Sequence, residues 1–85
     1  MSSAQAVVGS ILTGEFGIRA EDVKPQATLA DLHIDSLTAV ELIEAVGQEL
    51  GIWIGEHEVS QWHTVPDLVA IAEEKLAQRS AETGR

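Results

Sequence analysis

Asp35 and Ser36 form the one place in this 85-residue chain where residue types and position suggest chemistry. An acid and a hydroxyl stand where an irregular stretch gives way to a helical one. A serine there cannot act as a hydrolytic nucleophile, because no base and orienting group accompany it and no paired carboxylates suggest a pocket. Cysteine is absent, so the chain has no thiol of its own. His33, His57 and His63 are too irregularly spaced for a metal site and lack cysteine or paired carboxylates beside them. What suits the position is an anion, because orphan N–H groups and the helix dipole favour negative charge at a helix start. A phosphate ester on Ser36 fits that field better than nucleophilic attack does. The plain alternative is that Ser36 only caps, as most serines at helix starts do.

The helix that must position this pair is legible from its period. Ala39, Leu42, Ile43, Val46 and Leu50 fall on one side of a 3.6-residue turn. Leu37, Glu41, Glu44 and Gln48 fall on the other, which leaves Leu37 as an apolar residue facing water beside the serine. Asp35 or Ser36 caps the first turn, and Gly51 follows the last apolar position, where a left-handed residue is expected.

Asp35-Ser36-Leu37, followed by Val40-Glu41-Leu42, resembles the phosphopantetheine attachment motif of acyl carrier proteins, and the similarity runs from Val7 to Leu76. The resemblance implies that Ser36 receives 4′-phosphopantetheine from coenzyme A through a phosphopantetheinyl transferase, with Asp35 as the adjacent acid. Acyl groups then travel as thioesters on that arm. Leu37, Val40, Glu41, Glu44 and Gln48 become the surface read by partners, which include a ketosynthase, an acyltransferase or an acyl-loading ligase with basic docking patches. The family also has a cleft that shelters the acyl chain, lined here by Ala39, Val46, Ile54, Val59 and Trp62. The chain itself is expected to be a carrier rather than an enzyme.

Composition agrees with that reading. One small domain is expected, with residues 1–79 as the carrier and 80–85 as a frayed tail. A net charge of −9 argues against nucleic acid, whose phosphates need a basic footprint. Between Gln26 and Glu74 there is no lysine or arginine, while Asp31, Asp35, Glu41, Glu44, Glu49, Glu56, Glu58, Asp67, Glu73 and Glu74 are all acidic. Charge alone favours a solvated face, but an exposed serine and leucine beside it turn the reading toward a docking face. No apolar run is long enough to span a bilayer and no signal pattern opens the chain, so a cytoplasmic monomer is expected.

The remaining elements complete an all-α fold, a small four-helix bundle with a long loop between helices 1 and 2. The first helix begins near Ser2 or Ser3, with Ser2 and Gln5 spaced as a capping box, and carries Ala4, Val8, Ile11 and Leu12 inward. From Ile18 to Ile34 the helical period is lost, and Val23, Leu29, Leu32 and Ile34 read as anchors of the loop. Ile52-Trp53-Ile54 is an extended linker. Glu56 to Trp62 reads as a short third helix with Val59 and Trp62 on one side. Thr64 and Asp67 then form a start signal for the last helix, with Val65, Leu68, Val69, Ala72 and Leu76 inside.

Three departures from the fatty-acid pattern of the family bear on pathway. Thr38, Gly47 and Gln48 stand on the outer face of the second helix where acids are usual, which points toward polyketide or related specialised assembly rather than fatty-acid biosynthesis. Trp62 replaces a smaller aliphatic residue, either filling core volume or shaping the cleft. A peptidyl or aminoacyl carrier, and a helical interaction module without an arm, are the alternatives.

Overall fold

The computed structural model describes residues 3–83, with side chains through residue 79. The Ser2 half of the expected capping box lies outside the described residues. Three α-helices carry the core: α1 (Ser3–Gly14), α2 (Ser36–Leu50) and α3 (Val65–Thr83). No strand occurs among the described residues; Thr28 and Thr64 form a single antiparallel bridge.

α1 buries Ala4, Val8, Ile11 and Leu12, the four positions of its apolar stripe, and has no charged residue. Its end is closed by Phe16 N–H donating to the Ile11 carbonyl at 3.2 Å, followed by Gly17 in the left-handed region at φ 67°. α2 buries Ala39, Leu42, Ile43 and Val46 as its period requires, and Leu50 is half-buried. α3 contributes Val65, Leu68 and Ala72 to the same core. Burial of each large aliphatic side chain contributes roughly 1.5–3 kcal/mol, so this stripe-to-stripe packing is what holds the helices together.

The long connection between α1 and α2 is not structureless. Two 3₁₀ turns, Ala20–Asp22 and Ala30–Leu32, punctuate it. The second has a capping box of its own: Thr28 N–H donates to Asp31 Oδ2 at 3.0 Å, and Asp31 N–H donates back to Thr28 Oγ1 at 3.1 Å. Leu29, Leu32 and Ile34 are buried, anchoring the connection as expected, while Val23 is half-buried against the core.

The expected third helix over Glu56 to Trp62 does not form; that stretch is a chain of turns. A helix here would send the Ser60 N–H back to the Glu56 carbonyl, but that N–H is engaged elsewhere and the segment's end is drawn aside. Gly55 N–H donates to the Glu58 carboxylate at 2.9 Å, and Ser60 N–H donates to His63 Nδ1 at 2.8 Å. The carbonyls of Gln61 and His63 turn sideways and accept from Ala30 and Leu29 N–H at 2.8 and 2.9 Å. Lys75 on α3 pairs with Glu58 at 2.9 Å and ties the segment down. Ile54 and Val59 still reach the core.

Candidate functional site

The transition into α2 is built by three consecutive devices. His33 takes a left-handed conformation, φ 65° and ψ 27°, which turns the chain out of the 3₁₀ turn. That conformation costs a non-glycine residue about 1–2 kcal/mol. Ile34 then plugs the core, its N–H bonded to the Leu29 carbonyl at 2.9 Å. Asp35 follows in extended geometry, and its Oδ1 accepts the Thr38 N–H at 2.8 Å. The Thr38 backbone N–H is the main reason the Asp35 carboxyl is held below the usual carboxylate range, with the Thr38 side chain next.

Of the two residues able to cap α2, Asp35 does so. Ser36 is therefore the first residue of the helix, exposed, and its hydroxyl has no hydrogen-bond partner among the described residues. Leu37 stands beside it at 72 % exposure. Glu41, Glu44 and Gln48 continue the exposed face, with Val40 half-buried at its edge. Between this face and the segment after α2 runs an open groove lined by Val40, Glu44 and Gln48 on one side and by Ile52, Trp53 and Glu56 on the other. Trp53 is 74 % exposed on that rim. Sequence reasoning did not place it there.

Two sequence expectations need correction. Gly47 is not an outer-face residue. It is buried, and a Cβ added to it would lie 2.7 Å from the Ile52 carbonyl oxygen. The Gly51 and Ile52 N–H groups both return to the Gly47 carbonyl, Ile52 at 2.9 Å, in a Schellman turn with Gly51 left-handed at φ 70°. Glycine at 47 thus lets the returning backbone lie against the helix, and its lack of charge carries no message to a partner. Trp62 is also not a core filler. Its neighbour Val59 is buried, but Trp62 is 69 % exposed, because the turn geometry at 60–63 points it outward. The other expected cleft residues, Ala39, Val46, Ile54 and Val59, share one buried cluster.

The histidines serve the backbone or the surface. His63 Nδ1 accepts from Ser60, while His33 and His57 are exposed. Among the described residues no group of three metal-type ligands occurs, and no helix is long and apolar enough to cross a membrane.

The start of α2 thus holds its own cap and leaves Ser36 with an exposed hydroxyl beside an exposed leucine. Residues 6–72 match the family model described as the phosphopantetheine attachment site. The chain is 35 % identical over 74 residues to an acyl carrier protein of Nitratidesulfovibrio vulgaris, covering 86 % of this chain and 97 % of that protein. It is 37 % identical over 71 residues to an acyl carrier protein of Thermosynechococcus vestitus, covering 82 % and 88 %. The chain belongs to the acyl carrier protein family, whose members carry a 4′-phosphopantetheine arm and are carriers rather than enzymes.

The chemistry present fits that group. The arm needs a hydroxyl for its phosphodiester, and it supplies the thiol that a chain without cysteine lacks.

Proposed function

We propose that Ser36 Oγ is the attachment point of the 4′-phosphopantetheine arm, and that the chain presents acyl groups on it to the enzymes of a specialised biosynthetic pathway. The observation that carries the first half is the division of labour at the start of α2. Asp35 satisfies the Thr38 N–H, so the Ser36 hydroxyl is exposed with no competing bond. A phosphodiester at that atom falls in the field of α2's orphan N–H groups. In this reading Asp35 keeps Ser36 at the first helical position, where a modifying enzyme can reach it.

Leu37, Val40, Glu41, Glu44 and Gln48 are the surface that a phosphopantetheinyl transferase and the acyl-handling enzymes read. Leu37 supplies the apolar contact, and Glu41 and Glu44 meet basic residues on the partner. The specialised-pathway half rests on Thr38 and Gln48, uncharged positions on α2 that are not buried. Gly47 no longer supports it, being buried against the Ile52 carbonyl. A ketosynthase with a less basic patch than a fatty-acid enzyme would pair better with such a face.

Incubation with coenzyme A and a promiscuous phosphopantetheinyl transferase tests the attachment. One phosphopantetheinyl mass should be gained, and peptide mapping should place it on Ser36. Mass spectrometry of the protein loaded in its own host then separates a polyketide or fatty acyl group from an aminoacyl one.

A further inference from the structure

Two tryptophans are exposed, and their places differ. Trp53 stands just past the C-terminus of α2, a 15-residue helix about 22 Å long, and so lies about one helix length from Ser36. Trp62 is tied to the other end. The carbonyls on either side of it, Gln61 and His63, accept from Ala30 and Leu29, and the Leu29 carbonyl accepts from Ile34 at 2.9 Å. The path from Trp62 to Ser36 is thus one chain step, two backbone hydrogen bonds through Leu29, and two more chain steps. At 3.8 Å per step and about 5 Å across each bond, the separation is at most about 21 Å, comparable to the length of an extended phosphopantetheine arm.

The backbone that carries the ring is held in place. Trp62 N–H donates to Ser60 Oγ at 3.2 Å, Ser60 Oγ lies 3.1 Å from His63 Nδ1, and both flanking carbonyls are engaged, so the backbone under the indole is held on both sides. With Trp62 69 % exposed on this held turn, an aromatic face is open to a planar group. The buried cluster of Ala39, Val46, Ile54 and Val59 lies apart from it.

Resting on the attachment at Ser36, we infer that Trp62 is an external platform for the tethered acyl group, and that it selects flat, conjugated or aromatic acyl groups over saturated ones. The tether supplies the affinity: a group confined to a short flexible arm meets the ring at an effective concentration in the millimolar range. A weak offset stack then suffices to hold a planar group, and a saturated chain gains only area. Cargo would be shielded on the surface, beside the partner face.

The test uses the full chain loaded by a transferase with pantetheine, hexanoyl-pantetheine or cinnamoyl-pantetheine from the corresponding coenzyme A derivative. Mass spectrometry first establishes loading at Ser36; failure there refutes the attachment and not the platform. In the loaded protein, the cinnamoyl ring protons should shift upfield and show nuclear Overhauser contacts to the Trp62 indole, and hexanoyl should show much weaker contacts. Trp62→Ala should abolish the upfield shift, with circular dichroism unchanged because the side chain is exposed. Trp53→Phe should leave it intact. Equal cinnamoyl spectra with and without Trp62 overturn the inference. So does an indole that stays open to acrylamide in the cinnamoyl form and is protected only when the transferase is added, which makes Trp62 a partner contact.

Discussion

The Asp35 carboxylate and the Thr38 backbone N–H, 2.8 Å apart, decide what Ser36 is available for. With the cap supplied by its neighbour, the serine can be esterified without loss of a stabilising bond. Ser36→Ala should therefore abolish loading while leaving Tm unchanged. Asp35→Ala should lower Tm by fraying α2, and Asp35→Asn, whose amide oxygen also caps, should restore most of it at neutral pH. Thermal melts and a loading assay on the same three proteins check this.

Acid should remove the same contribution. Asp35, Glu58 and Asp67 are each held below the usual carboxylate range. The chief cause is a backbone N–H in every case: Thr38 for Asp35, Gly55 for Glu58 (with Lys75 adding to it) and Thr64 for Asp67. A folded pKa below the unfolded one gives stability that is complete above the ordinary carboxylate value, about 4, and is lost as pH falls through the lowered folded values. Urea denaturation as a function of pH should show a fall below about pH 4 that is shallower in Asp35→Asn.

Above that range the sign of the charge effect reverses. With ten acids and no lysine or arginine between Gln26 and Glu74, self-repulsion opposes folding at neutral pH. Raising ionic strength, or adding magnesium, should raise Tm; a flat response in both would remove acidic self-repulsion from the account.

Gly47→Ala separates packing from helix propensity. Alanine favours a helix interior by about 1 kcal/mol over glycine. Here its Cβ would meet the Ile52 carbonyl oxygen at 2.7 Å, a backbone atom unable to rotate away. The returning chain must shift, and a net loss of about 1–3 kcal/mol is expected by chemical denaturation.

The partner face should behave as a surface and not as a core. Leu37→Ala should lower transferase kcat/KM about tenfold, equivalent to about 1.4 kcal/mol, with no change in Tm. Glu41→Gln and Glu44→Gln should each lower it by less, and the loss should shrink as salt is added.

How much of this could be read from residues alone depended on the kind of signal. The bounds and inner stripe of α2 were legible because its apolar spacing, its cap candidates and its terminal glycine agree with one another, although which of Asp35 and Ser36 caps it was not. The Thr64–Asp67 box gave the start of α3, and its two reciprocal bonds form at 3.0 and 3.2 Å. The Thr28–Asp31 box has the same spacing, yet its single 3₁₀ turn carries no apolar period to draw the eye. The segment 56–62 was misread for a physical reason: beside the local Ser60–His63 bond, its course is set by bonds to residues 29 and 30 and by the Glu58–Lys75 pair, which no local spacing reveals. Trp62 went astray with it, since a residue's facing direction follows from the element that carries it. Gly47 was misjudged because a missing side chain says nothing about what lies opposite.

Leu29 has one more consequence. Its amide is joined to the 61–64 segment and its carbonyl to Ile34, so one peptide neighbourhood serves as a shared clamp. The serine loop and the tryptophan turn are therefore tethered through a single residue, and weakening the Leu29 bonds should loosen both at once.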